Sequence, residues 1–180
     1  HPQRERGVVA RRLPRRAETM WEQLATPPGL PPAAAVAPFL RPPYAGNAML
    51  LRRPMGQPAR IETIGEGLQA ITHLRRGEYQ PDEGGMTALG RQMVELCEQA
   101  LAAATPQRLE SERMSQRPSA GRPHLLLRAV ALPFAPDERG ESAGVVIASW
   151  RKLLSAEETA ALHRELAAAM DWRHRQRPRE

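Results

Sequence analysis

Two long apolar runs lie close together in the second half of the chain and are separated by a short polar segment. They are Leu125–Phe134 and Ala143–Trp150, and the Pro-Asp-Glu-Arg-Gly sequence between them is typical of a turn. Both runs are apolar at successive positions, so both faces of each strand are expected to be covered. The pattern predicts a central β-hairpin in a sheet that helices cover.

Apolar residues at helical spacing predict a long helix over Met86–Ala104, which ends before Thr105 and Pro106 because the residue before a proline is pushed out of the helical region. One face of this helix is expected to bury against the sheet. That face comprises Leu89, Met93, Leu96, Cys97, Ala100, Leu101 and Ala104.

A last helix is predicted from Ser155, which forms a capping-box pattern with Glu158, to Trp172. Its apolar stripe must pack on the protein's own sheet, on a second copy or on a regulatory partner. We expect a homodimer or a complex with a regulatory protein, and the predicted interface residues are Leu162, Leu166 and Met170.

The first half of the chain predicts shorter elements. Nine prolines fall between Pro27 and Pro58, which favours irregular or extended chain. The segment Gly67–His73 fits either a strand or a turn of helix. The other predicted elements are a helix at Ala17–Ala25, helical turns at Ala33–Leu40, paired strands at Asn47–Arg53 and Ala59–Ile64, and a charged edge strand at Arg108–Gln116.

The net charge of +6 is concentrated at the two ends. Residues 1–16 hold six arginines against one glutamate, residues 172–180 hold four against one, and the part between them is slightly acidic. The sequence therefore predicts a disordered basic arm at residues 1–16, one domain at 17–154, the helix at 155–172 and a basic tail at 173–180.

The sequence holds no constellation that names a reaction. Cys97 is the only cysteine, so we expect no internal disulfide and a reducing, cytoplasmic setting. The five histidines are not spaced as paired ligands on a helix, so we expect no metal site, and no nucleotide or nucleophile motif occurs. We expect neither an enzyme, nor a membrane span, nor an export signal.

Three residues have two interpretations each. Cys97 lies on the apolar face of the long helix, where it is either a small core residue or a reactive thiol. Arg128 interrupts an apolar strand and either pairs with Glu110 or Glu112 or lines a cavity that holds an anion. Trp150 ends the last strand, where it either packs or binds.

The order of elements is similar to that of a PAS domain. The start Trp21-Glu22-Gln23-Leu24, and a strand that ends in Leu132-Pro133-Phe134 before an acidic loop, resemble short PAS-like regulatory proteins common in alphaproteobacteria. Their penultimate strand typically ends in a Leu-Pro-Leu-like triplet. The Asn-Cys-Arg flavin-attachment motif of photosensory members is absent, so no chromophore is carried over and any cofactor stays unknown.

The resemblance implies an α+β fold, with a five-stranded antiparallel sheet and helices on one face. It also implies a non-catalytic role in signal transduction through protein contacts, with a small-molecule cavity between the sheet and the long helix. Residues expected to line that cavity are Met93, Cys97, Arg128 and Trp150. The alternative is a small Arg-rich nucleic-acid-binding protein, whose binding through the basic ends is expected to be weak and non-specific.

Overall fold

The computed structural model describes residues 12–26, 29–78, 88–113, 124–153 and 156–175. Its backbone contacts divide the chain into two compact units. The first consists of His1–Ser111 with Leu127–Trp150, and the second of Glu112–Leu126 with Arg151–Glu180. The predicted site residues on the sheet and the long helix belong to the first unit, and the C-terminal helix belongs to the second.

Six strands form one sheet with the order β3-β2-β1-β6-β5-β4. Strand β1 pairs antiparallel with β2 on one side and with β6 on the other, where Met49 lies opposite Val146. The predicted α+β fold with a five-stranded antiparallel sheet is confirmed, and a two-residue strand extends it beside β2. The strands are β1 Ala48–Arg53, β2 Arg60–Ile64, β3 Gly77–Glu78, β4 Gln107–Arg113, β5 His124–Phe134 and β6 Ser142–Leu153.

The described residues contain four α-helices and two 3₁₀ helices. The segment that fitted either a strand or a helix is helical, and it ends at His73 in the left-handed conformation (φ 58°). Met86 and Ser155, the predicted first residues of two helices, lie outside the described residues. The helices are α1 Leu13–Leu24, α2 Glu66–Thr72, α3 Ala88–Ala103 and α4 Ala156–Arg175, with 3₁₀ helices at Ala33–Leu40 and Ala45–Asn47.

Both faces of the central strands β1 and β6 are buried, as their apolar character predicts. Successive side chains of a strand point to opposite faces, so in β1 Met49 and Leu51 pack with α2 and α3, whereas Ala48 and Leu50 pack with α1 and the first 3₁₀ helix. We call these the α3 face and the α1 face. The expectation of helices on one face only is therefore wrong, because α1 and the first 3₁₀ helix cover the second.

The first helix begins four residues earlier than predicted, so residues 13–16 are helical and do not belong to a disordered arm. Leu13 and Pro14 are buried, and proline is compatible with the first turn of a helix because the N–H that it lacks has no intrahelical acceptor there. At the other end of the helix, Trp21 is 8 % exposed and its Nε1 donates to the Pro133 carbonyl oxygen at 2.7 Å. These contacts hold α1 on the sheet.

The turn of the central hairpin is stabilised by Asp137. One carboxylate oxygen, Oδ1, accepts hydrogen bonds from the backbone N–H groups of Glu141 and Arg139, both at 2.9 Å. The bond from Glu141 has the largest effect. Both bonds stabilise the charged carboxylate, and they hold the pKa of Asp137 below its ordinary value. The Gly140 N–H also donates to the Asp137 carbonyl at 2.9 Å, which closes a four-residue turn with Gly140 at positive φ.

Candidate functional site

Three of the four predicted ligand residues lie together on the α3 face. Met93 and Cys97 on α3 are fully buried, and Trp150 near the end of β6 packs against the same apolar cluster. Helix and strand are in direct contact there, because a Cβ atom added at Gly144 of β6 would lie 2.5 Å from Cys97 Sγ. The glycine lets α3 approach the sheet closely, and this contact leaves no space for a ligand between Cys97 and Gly144.

Trp150 packs on a second glycine. A Cβ atom added at Gly67 in α2 would lie 3.2 Å from the Cη2 and Cζ2 atoms of the Trp150 ring. Two residues earlier in β6, the Ala148 carbonyl oxygen accepts a hydrogen bond from Asn47 Nδ2 at 2.8 Å, which fixes the second 3₁₀ helix against the strand. Packing is therefore the contact that the structure shows for this tryptophan.

Arg128 lies on the opposite face of the sheet from the other three residues. Its neighbours Leu127 and Ala129 in β5 pack into the α3 face, and Val130, two residues on, packs into the α1 face. Alternation along the strand therefore places Arg128 on the α1 side. Its Nε lies 3.3 Å from Glu110 Oε1, and the two side chains are 52 % and 75 % exposed, so the ion pair considered from the sequence is present.

The four residues therefore do not line one cavity. Met93, Cys97 and Trp150 belong to the core beneath α3, and Arg128 belongs to a solvent-exposed ion pair across the sheet. Sequence alternation alone places Arg128 opposite Leu127, but it does not show which face meets the long helix. That assignment depends on the packing of α3, which only the structure gives.

Burial has a strong effect on the Cys97 thiol. Desolvation, with a smaller contribution from Glu98 and an opposing one from Arg53, raises its pKa from 9.0 to about 12. The buried side chain is therefore a thiol at neutral pH, and the nucleophilic form is the thiolate. The interpretation of this cysteine as a core residue agrees with its position.

We expect this pKa shift to make the protein less stable in alkali. The folded state holds the thiol proton more tightly than the unfolded state, so the stabilisation is complete below pH 9 and is lost as pH rises toward 12. At pH 10 the expected loss is about 1.4 kcal/mol relative to pH 8. Urea unfolding of the parent and Cys97→Ala at both pH values measures it, since the variant lacks this contribution. Equal losses in both proteins would contradict the assignment.

Sequence reasoning missed a groove along the exposed side of α1, because residues 1–16 were expected to form a disordered arm. The signal was present in the spacing: Arg12 and Arg16, and likewise Arg15 and Thr19, are four residues apart, which places each pair on one side of a helix. We call this feature the α1 groove. Its lining residues are Arg12, Arg15, Arg16, Thr19, Met20, Gln23 and Tyr44.

The predicted interface residues lie along one side of α4. Leu162, Leu166 and Met170 are 53 %, 61 % and 58 % exposed, and their four-residue spacing aligns them. We call them the α4 stripe. Trp172 near the end of the same helix is 61 % exposed.

Among the described residues, no group of three or more His, Cys, Asp or Glu side chains is arranged to hold a metal ion. None of the helices within the described ranges combines the length and the apolar character that crossing a membrane requires.

Some solved structures of other proteins are similar to this chain. No family model matches the chain, and no curated protein matches it. The chain is similar to a fungal LOV domain photoreceptor at 15 % identity, covering 64 % of this chain and 89 % of that one with a TM-score of 0.37. It is also similar to the PAS domain of Bordetella pertussis BvgS at 17 % identity, covering 69 % and 90 % with a TM-score of 0.41.

Proposed function

We propose that this chain is a non-catalytic sensory or regulatory module that acts through protein contacts. The observation that carries the proposal is the α4 stripe, whose three apolar side chains are each more than half exposed. Apolar side chains aligned along one side of a helix ordinarily pack against another surface. The sequence resemblance to PAS-like regulatory proteins supports the sensory part of the proposal.

A second copy of the chain is the partner that the charges of α4 favour. The helix begins with Glu157 and Glu158, and the sequence of its last turn contains Arg173 and Arg175. An antiparallel pairing of two such helices brings the acidic start of one beside the basic end of the other, while the two stripes meet. Such a pairing has two-fold symmetry, the commonest arrangement among soluble oligomers.

We expect a concentration-dependent dimer that Leu162→Glu with Leu166→Glu converts to a folded monomer. Burial of an apolar side chain of this size stabilises by roughly 1.5–3 kcal/mol before the costs of association, so three per chain support a weak dimer. Sedimentation velocity over a hundredfold range of protein concentration measures the association. Circular dichroism of the same samples tests whether the variant is folded.

A matched control places the same two charges elsewhere on α4. Ala160 and Ala168 are exposed and lie outside the stripe, at least about 120° around the helix from its centre. Ala160→Glu with Ala168→Glu should leave the dimer intact. A parent that stays monomeric at high concentration, or equal dissociation by both double variants, would reject α4 as the dimer interface.

A small-molecule ligand remains part of the proposal, with Met93, Cys97 and Trp150 as the residues nearest to it. Because α3 contacts β6 directly at Gly144, a ligand on this face requires the helix to move away from the strand. Arg128 lies across the sheet, so in this proposal it forms no contact with that ligand. The setting proposed for the protein is the reducing cytoplasm, where the Cys97 thiol stays reduced.

A further inference from the structure

The α1 groove concentrates positive charge. Arg12, Arg15 and Arg16 line it, and among the described residues these three side chains form no ion pair. The lining includes no acidic side chain among the described residues. Glu18, which lies nearby on the same helix, is paired with Arg108 across a bidentate contact of 2.6 and 2.8 Å.

The backbone adds to this positive field. The first hydrogen bond within α1 runs from the Arg16 N–H to the Arg12 carbonyl oxygen at 2.9 Å, so the N–H groups of Leu13 and Arg15 have no acceptor within the helix. The first turn contains no acidic residue, and Arg12 at the N-cap makes no side-chain capping bond. Cationic side chains at the positive end of the helix dipole destabilise the helix. A bound anion offsets this destabilisation.

Tyr44 supplies an independent indication of a ligand. The residue is only 5 % exposed, and its ring is held against Phe39 at a centroid distance of 5.9 Å. Its hydroxyl has no hydrogen-bond partner within the part of the chain that the structure describes, and it is not among the fully enclosed polar atoms, so it opens onto the α1 groove. Because Tyr44 lines the α1 groove, the hydroxyl is available to an acceptor that enters there.

The spacing of the arginines indicates what kind of anion fits. Arg12 is three residues from Arg15 and four from Arg16, so in each of these two pairs the Cβ atoms lie about 5–6 Å apart and both guanidinium groups can reach one anion. One guanidinium group can donate two parallel hydrogen bonds to the oxygens of a phosphate. One phosphate monoester carries about 1.5–2 negative charges, so the three positive charges of these arginines match the charge of more than one phosphoryl group. We propose that the α1 groove binds a small molecule that carries a di- or triphosphate group.

The rest of the groove suits the remainder of such a molecule. Thr19, Met20 and Gln23 continue the lining away from the arginines, and they combine a hydroxyl, an amide and an apolar thioether. The helix rises about 1.5 Å per residue, so the lining from Arg12 to Gln23 extends over roughly 16 Å. This inference does not depend on the dimer proposed above, since its test measures ligand binding and not association.

Isothermal titration of the full chain with pyrophosphate, ATP, orthophosphate and sulfate tests the proposal. We expect saturable binding of pyrophosphate and ATP that is tighter than that of orthophosphate or sulfate. Arg15→Gln with Arg16→Gln should weaken it by about tenfold or more for each charge-assisted hydrogen bond that the substitutions remove. The control is Arg75→Gln with Arg139→Gln, two exposed arginines outside the groove, which should bind as the parent does.

Tyr44→Phe separates binding from folding, because it removes only the hydroxyl and keeps the ring that packs on Phe39. We expect it to weaken pyrophosphate binding severalfold with an unchanged melting temperature. Failure of pyrophosphate to saturate the parent, or equal weakening in the control double variant, would overturn the proposal. Tighter binding of a single-stranded 15-mer oligonucleotide than of ATP, with steep salt dependence, would also overturn it and assign the groove to nucleic acid.

Discussion

Val146→Pro is expected to abolish folding. Strand β6 lies between β1 and β5, so each of its N–H groups points toward a neighbouring strand, and Val146 is fully buried opposite Met49. Proline removes one ladder hydrogen bond and clashes with the strand backbone, and it is found essentially only at sheet edges or bulges. We expect loss of the cooperative thermal transition followed by circular dichroism, together with rapid cleavage by protease.

The matched control is Glu138→Pro in the turn of the same hairpin. Glu138 is the second residue of the turn that Gly140 closes, a position where proline is favoured. Ser142, which the sequence pattern places in this turn, pairs instead with Arg53 and is the first residue of β6. A cooperative melt of the Val146 variant that matches the parent would refute the central position of β6.

Trp21→Ala should destabilise the protein by about 3–5 kcal/mol, the range for removing a buried aromatic side chain. The indole lies in the apolar cluster of the α1 face and is 8 % exposed. Its removal creates a cavity and deprives the Pro133 carbonyl oxygen of the hydrogen bond from Nε1. Urea unfolding measured by circular dichroism gives the change in the free energy of unfolding.

Two further variants show how much of this destabilisation comes from the lost hydrogen bond and whether it requires a buried tryptophan. Trp21→Phe keeps most of the buried ring but removes the N–H, and we expect it to cost about 1–3 kcal/mol because the Pro133 acceptor is left unpaired. Trp172→Ala removes a tryptophan that is 61 % exposed and should change stability by less than about 0.5 kcal/mol. Equal effects of the two alanine variants would show that α1 contributes little to the folded core.

The central hairpin and the long helix were predictable because their signals are local. The apolar runs of β5 and β6 and the four-residue spacing on α3 each lie within one element, and turn chemistry sits between the strands. The start of α1 was not predictable, because the six arginines in residues 1–16 outweigh Leu13 and Pro14 in any local pattern. Leu13 and Pro14 became part of the core only through contacts with distant residues.

The segment around α2 was also not predictable from local sequence patterns. Its glycines are typical of loops, yet a Cβ atom added at Gly65 would lie 2.2 Å from the Ala45 carbonyl oxygen. The glycine is required by a close approach between two backbones, which no sequence pattern records. The predicted ligand set was likewise divided because the position of α3 over the sheet determines which strand residues it meets.

The central position of β6 also determines when the sheet can form during synthesis. Strand β1 pairs with β2 within one short hairpin, but its pairing with β6 joins Met49 to Val146, roughly one hundred residues later in the sequence. Pairings of high sequence separation slow folding, because the entropy of the intervening loop must be given up before the pairing can compensate for it. Until β6 has left the ribosome, the edge of β1 that pairs with β6 has no native partner. The nascent chain thus carries an open strand edge while roughly one hundred further residues are made, and an unpaired edge of this kind favours aggregation.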